Sequence, residues 1–169
     1  MSVHALEVYR KALAESVVFA RLSQEELDLI VASCRLVDVG VGQMLLSEGR
    51  RGDGLYIILE GEMEFFLPER SVAGARRPSR VRLNVLGPGR CFGEYGVIDD
   101  QPSSASAQAV TAARLCLLTT AELRRIVEQN DRIGKIVYAN LLRFLVSRLR
   151  SKDKELDLVL FVEEPDRGA

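Results

Sequence analysis

The residues with types and spacing suited to chemistry run from Arg90 to Ser106: Arg90-Cys91-Phe92-Gly93-Glu94-Tyr95-Gly96, then Val97-Ile98-Asp99-Asp100-Gln101-Pro102-Ser103-Ser104-Ala105-Ser106. Phe92, Gly93 and Glu94 read as the opening of a short helical turn. The first N–H groups of such a turn lack intrahelical acceptors, and the helix dipole adds positive potential. That combination captures anions. At the end of the stretch, the small residues Ser103, Ser104 and Ala105 would let backbone approach a bound group closely. The plainer reading of Gly93 and Glu94 is a helix start with an acidic first turn.

Little else in the chain suggests catalysis. There is a single histidine, His4, near the N-terminus, and no paired cysteine, so no zinc-ligand spacing arises. A Ser–His–Asp or Cys–His device would have to recruit that terminal histidine. No paired-carboxylate motif stands out. Cys34, Cys91 and Cys116 are odd in number and widely separated, which predicts reduced, buried thiols and a cytoplasmic protein. Neither an enzyme nor a resident cofactor is expected.

A chain of 169 residues fits one domain with a proper core. Its 23 Lys and Arg against 24 Asp and Glu give net charge −1, which advertises neither nucleic-acid nor membrane binding. Arg143, Arg148 and Arg150 interrupt the most apolar helix, so no membrane span is expected, and the N-terminus lacks a signal-peptide layout. Positive charge does gather locally, at Arg70, Arg76, Arg77, Arg80 and Arg82. That loop reads either as an anion- or partner-binding arm or as a solvated hairpin extension. No aromatic residue lies among these arginines, so a stacking platform for single-stranded nucleic acid is not supported.

The elements that must position the Phe92–Ser106 stretch follow from periodicity. Leu6, Tyr9, Leu13, Val17 and Val18 have helical spacing over residues 5–20. Ser23 and Glu26 form a capping box ahead of a second helix with Leu27, Ile30, Val31 and Cys34 on one face. From Arg35 the period becomes two. Short strands at 35–39, 43–46, 55–59, 63–67, 80–86, 106–110 and 114–118 are separated by glycine turns. Such strands suggest a β-roll or jelly-roll barrel. Leu123, Ile126 and Val127 then mark a helix, and a long helical pattern runs from about Asp131 to about Phe161.

Taken in order, Gly42, Glu48-Gly49, Tyr56-Ile57-Ile58, Glu60-Gly61, Leu86-Gly87-Pro88-Gly89 and Phe92-Gly93-Glu94, followed by a long helix, resemble the cyclic-nucleotide-binding domain family. That family includes the bacterial catabolite activator protein and the regulatory subunit of cyclic-AMP-dependent protein kinase. The resemblance covers roughly residues 19 to 150. It implies a mainly β fold with flanking helices, a double-stranded β-helix. N-terminal helices would occupy 1–34, the β-roll 35–120 with its phosphate-binding cassette at 92–106, C-terminal helices 121–162 and a tail 163–169. It also implies cyclic AMP or cyclic GMP as ligand and a regulatory, signal-transducing role. The ligand-binding set would be Phe92, Gly93, Glu94, Tyr95, Ser103, Ser104 and Ala105, with Glu94 taking the ribose hydroxyl.

Ser103 departs from the family pattern, which places a phosphate-pairing Arg there. Losing that charge-assisted bond costs about 1.5–3 kcal/mol, roughly 10- to 150-fold in affinity. Two readings stay open. In one, the pocket senses a cyclic nucleotide weakly, helped by another arginine such as Arg90 or Arg114, and repositions the C-terminal helix. In the other, the fold has lost its ligand and serves as a protein-interaction and dimerisation scaffold. Leu142, Leu145, Leu149 and Leu156 lie at roughly heptad intervals and predict a homodimer through that helix, with packing on its own β-roll as the alternative. The chain ends soon after the helix, so no DNA-reading module is expected within it.

Overall fold

Leu55 to Leu59 form an unbroken apolar run, and both faces of that strand are covered. Leu55, Ile57 and Leu59 point into a core shared with the helices, while Tyr56 and Ile58 point into a second core inside the roll. The computed structural model describes residues 6–72, 74 and 76–162, with side chains to residue 157. The readings placed on His4 and on the 163–169 tail lie outside the described residues.

Among the described residues, eight strands make two antiparallel four-stranded sheets. They are β1 (Arg35–Val39), β2 (Met44–Leu46), β3 (Gly54–Glu60), β4 (Met63–Leu67), β5 (Val81–Leu86), β6 (Cys91–Phe92), β7 (Ser106–Ala109) and β8 (Ala113–Thr119). One sheet runs β1-β8-β3-β6 and the other β2-β7-β4-β5. Within the first, Ile57 sits opposite Cys91 on one side and Cys116 on the other. The sheets face each other over Val39, Tyr56, Ile58, Met63, Phe92, Ala107 and Leu115. This is the expected β-roll. The one strand absent from the sequence reading is β6, a two-residue element too short to show a period.

The helices cover the outer face of the first sheet. A 3-10 turn (Glu7–Tyr9) leads into α1 (Arg10–Glu15), and α2 (Gln24–Ser33) follows. Then come α3 (Glu94–Asp99), α4 (Thr120–Gln129) and α5 (Asp131–Val162). Leu13, Phe19, Leu27, Ile30, Leu123, Ile126, Ile133, Val137 and Leu141 pack against Leu55, Ile57, Cys116 and Leu118. The capping box is present: the Ser23 hydroxyl accepts from Glu26 N–H, and the Glu26 carboxylate accepts from Ser23 N–H.

The first helix is shorter than its apolar spacing suggests. It stops at Ser16, which is extended and buried, with its hydroxyl donating to the Leu13 carbonyl at 2.7 Å. The chain then turns through Ala20, so Val18 and Phe19 reach the core from a turn rather than from a helix.

Candidate functional site

The start of the Phe92–Ser106 segment is fixed by aromatic packing and by the absence of a side chain. Phe92 stacks on Tyr56 with ring centroids 5.0 Å apart and planes 9° apart. Phe65 meets the same ring edge-on at 5.0 Å. Gly93 then adopts φ +84°, and a Cβ there would lie 2.3 Å from the Gly54 carbonyl oxygen. No other residue fits that crossing. From it the chain enters α3 with Glu94 pointing inward, only 2% exposed.

The far end is held by backbone exchange with the β2–β3 loop. Ser103 N–H donates to the Arg50 carbonyl, and Gly49 N–H donates to the Ser103 carbonyl, each at 2.8 Å. That loop is pinned in turn. The Arg77 guanidinium donates to both Glu48 carboxylate oxygens at 2.9 and 2.7 Å, and also to the Pro68 carbonyl at 3.0 Å. Glu48 N–H donates to Ser106 Oγ at 3.0 Å. Part of the arginine-rich segment therefore serves the structure: Arg77 braces the loop beside Ser103, and Arg80 lies over the Phe66 ring at 3.6 Å.

Between these ends lies a cavity of about 250 Å³. Phe92, Gly93, Glu94, Tyr95, Ser103, Ser104 and Ala105 all line it. Leu46, Phe65, Leu83 and Leu86 give it an apolar wall, with Asn84 among them. Arg148 and Lys152 of α5 complete its lining. The sequence reading named the first seven residues and missed the last two. A basic pair at i, i+4 falls on one helix face, but nothing local says that this face meets a segment some fifty residues earlier.

Arg148 donates to the Glu94 carboxylate. Its guanidinium also lies 5.7 Å from the Tyr95 ring centroid and 5.6 Å from that of Phe144. Burial pushes the Glu94 carboxyl above the usual carboxylate range, and Arg148 only partly offsets this. Next to it, burial raises the Cys91 thiol to about 12, helped by the Glu94 charge, so this cysteine stays protonated. The Tyr56 hydroxyl is raised by burial and then by Asp53, to which it donates at 3.3 Å.

Neither arginine suggested as a substitute for the missing charge reaches the cavity. Arg114 is held on the outer face by Asp38 at 2.7 Å and the Tyr9 hydroxyl at 3.2 Å, and Arg90 does not line the cavity. The cations that do are both on α5. Among the described residues no three His, Cys, Asp or Glu side chains cluster to hold a metal ion. No described helix is long and apolar enough to cross a membrane.

The family model described as the cyclic nucleotide-binding domain matches residues 36–130. The chain belongs to the cyclic nucleotide-binding domain family. The cyclic AMP receptor protein of Thermus thermophilus is 32% identical over 154 residues, covering 91% of this chain and 67% of the receptor. A cAMP-dependent protein kinase regulatory subunit from Eremothecium gossypii is 28% identical over 138 residues, covering 82% of this chain. This cyclic nucleotide-binding domain thus spans only 28% of that subunit's length. The crystal structure of a cyclic nucleotide-binding domain from Methylobacillus flagellatus superposes with TM-score 0.78 at 24% identity, covering 96% of this chain and 89% of that one, a likeness of fold.

Proposed function

We propose that this chain is a non-enzymatic, cytoplasmic regulatory domain that binds a cyclic nucleotide, cyclic AMP or cyclic GMP, in the cavity beneath the cassette. The observation that carries the reading is the convergence of the seven cassette residues on one cavity that Arg148 and Lys152 also line. Glu94 would accept from the ribose hydroxyls. The Ser103 hydroxyl and neighbouring N–H groups would each donate one bond to the phosphate, whose charge would be met by the α5 cations rather than from Ser103. The Thermus relative is named a cyclic AMP receptor, which favours cyclic AMP as the first ligand to try.

This arrangement supplies a signal. Arg148 is occupied with Glu94, so a phosphate that draws the guanidinium away changes what α5 is tied to. A ligand shifts α5 only by its differential affinity for the two positions. Leu142, Leu149 and Leu156 are 63%, 63% and 59% exposed at seven-residue spacing, a seam suited to a second copy of the helix. Occupancy would thus be reported through a homodimer.

One observation favours a second reading, a scaffold that no longer binds nucleotide: with Ser103 uncharged, the Arg148 cation that could replace the missing one is already spent on Glu94. Calorimetric titration of the chain with cyclic AMP and cyclic GMP separates the two.

A further inference from the structure

Away from the cassette, positive charge gathers where the turn after α1 meets the first half of α5. Arg21, Arg132, Lys135 and Arg143 line a hollow of about 250 Å³ with Ile136 on its wall. Among the described residues only Arg132 has a carboxylate partner, Glu26; Arg21, Lys135 and Arg143 form no ion pair. Unpaired cations beside one hollow raise its positive potential, which a bound anion would lower.

Two further features show a built site. Asn140 is 5% exposed, and its amide Nδ2 donates to the Val18 and Ala20 carbonyls at 3.0 and 2.7 Å, fixing the turn that presents Arg21. Its Oδ1 accepts from Arg143 at 3.2 Å, so one buried side chain orients a cation on each side. Arg21 itself has φ +74°, the left-handed region that glycine occupies without strain at the end of a helical turn. An arginine at such a position carries backbone strain that glycine would not.

We propose that this hollow binds the phosphoryl group of a small phosphate ester, with Arg21, Lys135 and Arg143 as its counter-charges. Guanidinium forks match phosphate oxygens two at a time, and the hollow's volume suits a small molecule. The site is separate from the cassette cavity and does not depend on nucleotide binding there.

The test is a titration of the full chain with glycerol 3-phosphate at constant ionic strength, followed by nitrogen–proton NMR. The expected result is a saturable shift of the Arg21 and Arg143 side-chain N–H signals, with the cassette signals unmoved. Arg21→Gly should weaken binding at least tenfold while the Tm holds or rises, because glycine relieves the backbone. Lys135→Ala, on the exposed helix surface, should weaken it severalfold with the fold intact. Linear, non-saturating shifts would overturn the proposal, as would unchanged affinity in both variants. Saturable binding of a hexaglutamate peptide with none of the phosphate ester would also overturn it, making the hollow an acidic-peptide site.

Discussion

Arg148 and Glu94 are separated by 54 residues, and their ion pair ties the C-terminal helix to the cassette within the lining of one cavity. The two ends of this pair differ. Glu94 is nearly inaccessible, with 3% of its side chain exposed, while Arg148 is 38% exposed.

If Arg148 supplies the phosphate's charge, Arg148→Ala should weaken cyclic nucleotide binding by about 10- to 150-fold, from the loss of roughly 1.5–3 kcal/mol. Calorimetry reads this directly. Tighter binding in the variant would mean that Arg148 only blocks the cavity.

Restoring the family's charge should act in the opposite sense. Ser103 is half-buried and faces the cavity, and its backbone is fixed by the bonds to Arg50 and Gly49. Ser103→Arg should therefore tighten cyclic AMP or cyclic GMP binding by about 10- to 150-fold. An unchanged constant with the fold intact would show that the phosphate does not lie beside Ser103.

Gly93→Ala meets both a left-handed φ and a Cβ only 2.3 Å from the Gly54 carbonyl. Backbone cannot yield there without moving β3. A loss of about 2–4 kcal/mol in unfolding free energy is expected, by denaturant titration. Wild-type stability in this variant would be inconsistent with the crossing described.

The pH dependence follows from the sign of the Glu94 shift. Burial raises its folded-state pKa above the unfolded value, so the folded chain favours the protonated carboxyl. That contribution is complete below the unfolded pKa, near 4.3, and is lost as pH rises through the folded value. Glu94→Gln should therefore flatten the dependence of Tm on pH and leave stability at neutral pH equal or higher. Nucleotide affinity should fall in the same variant, because the ribose acceptor loses its charge. For the wild type, affinity should fall as pH drops through the raised Glu94 pKa.

Leu149→Glu places a charge in the middle of the exposed α5 seam. Light scattering after size exclusion should show a dimer for the wild type and a monomer for the variant at micromolar concentration. A monomeric wild type would remove the dimer from the signalling route.

Much of this architecture was legible because its determinants are local. The Ser23–Glu26 box needs only a three-residue spacing, and the apolar run at Leu55–Leu59 announces a strand covered on both faces. Gly93 and Glu94 stand next to each other in sequence and remain together in the cavity wall. Other features depend on distant contacts. Helix α1 ends at Ser16 because a buried hydroxyl turns back to Leu13, which apolar spacing does not encode. Strand β6 exists because Tyr56 and Ile57 offer it a partner. In the sequence Arg148 reads only as an interruption of an apolar helix; its meeting with Glu94 depends on how the long α5 lies on the roll. For the same reason Arg114 looked available and proves to be engaged with Asp38.

The most direct test of ligand binding is isothermal titration calorimetry of the intact chain with cyclic AMP and cyclic GMP, alongside Ser103→Arg. The predicted result is saturable binding of at least one nucleotide at one site per chain, tightened by the substitution. Absence of heat with either nucleotide, in both folded proteins, would contradict it and leave the cavity a relic within a scaffold.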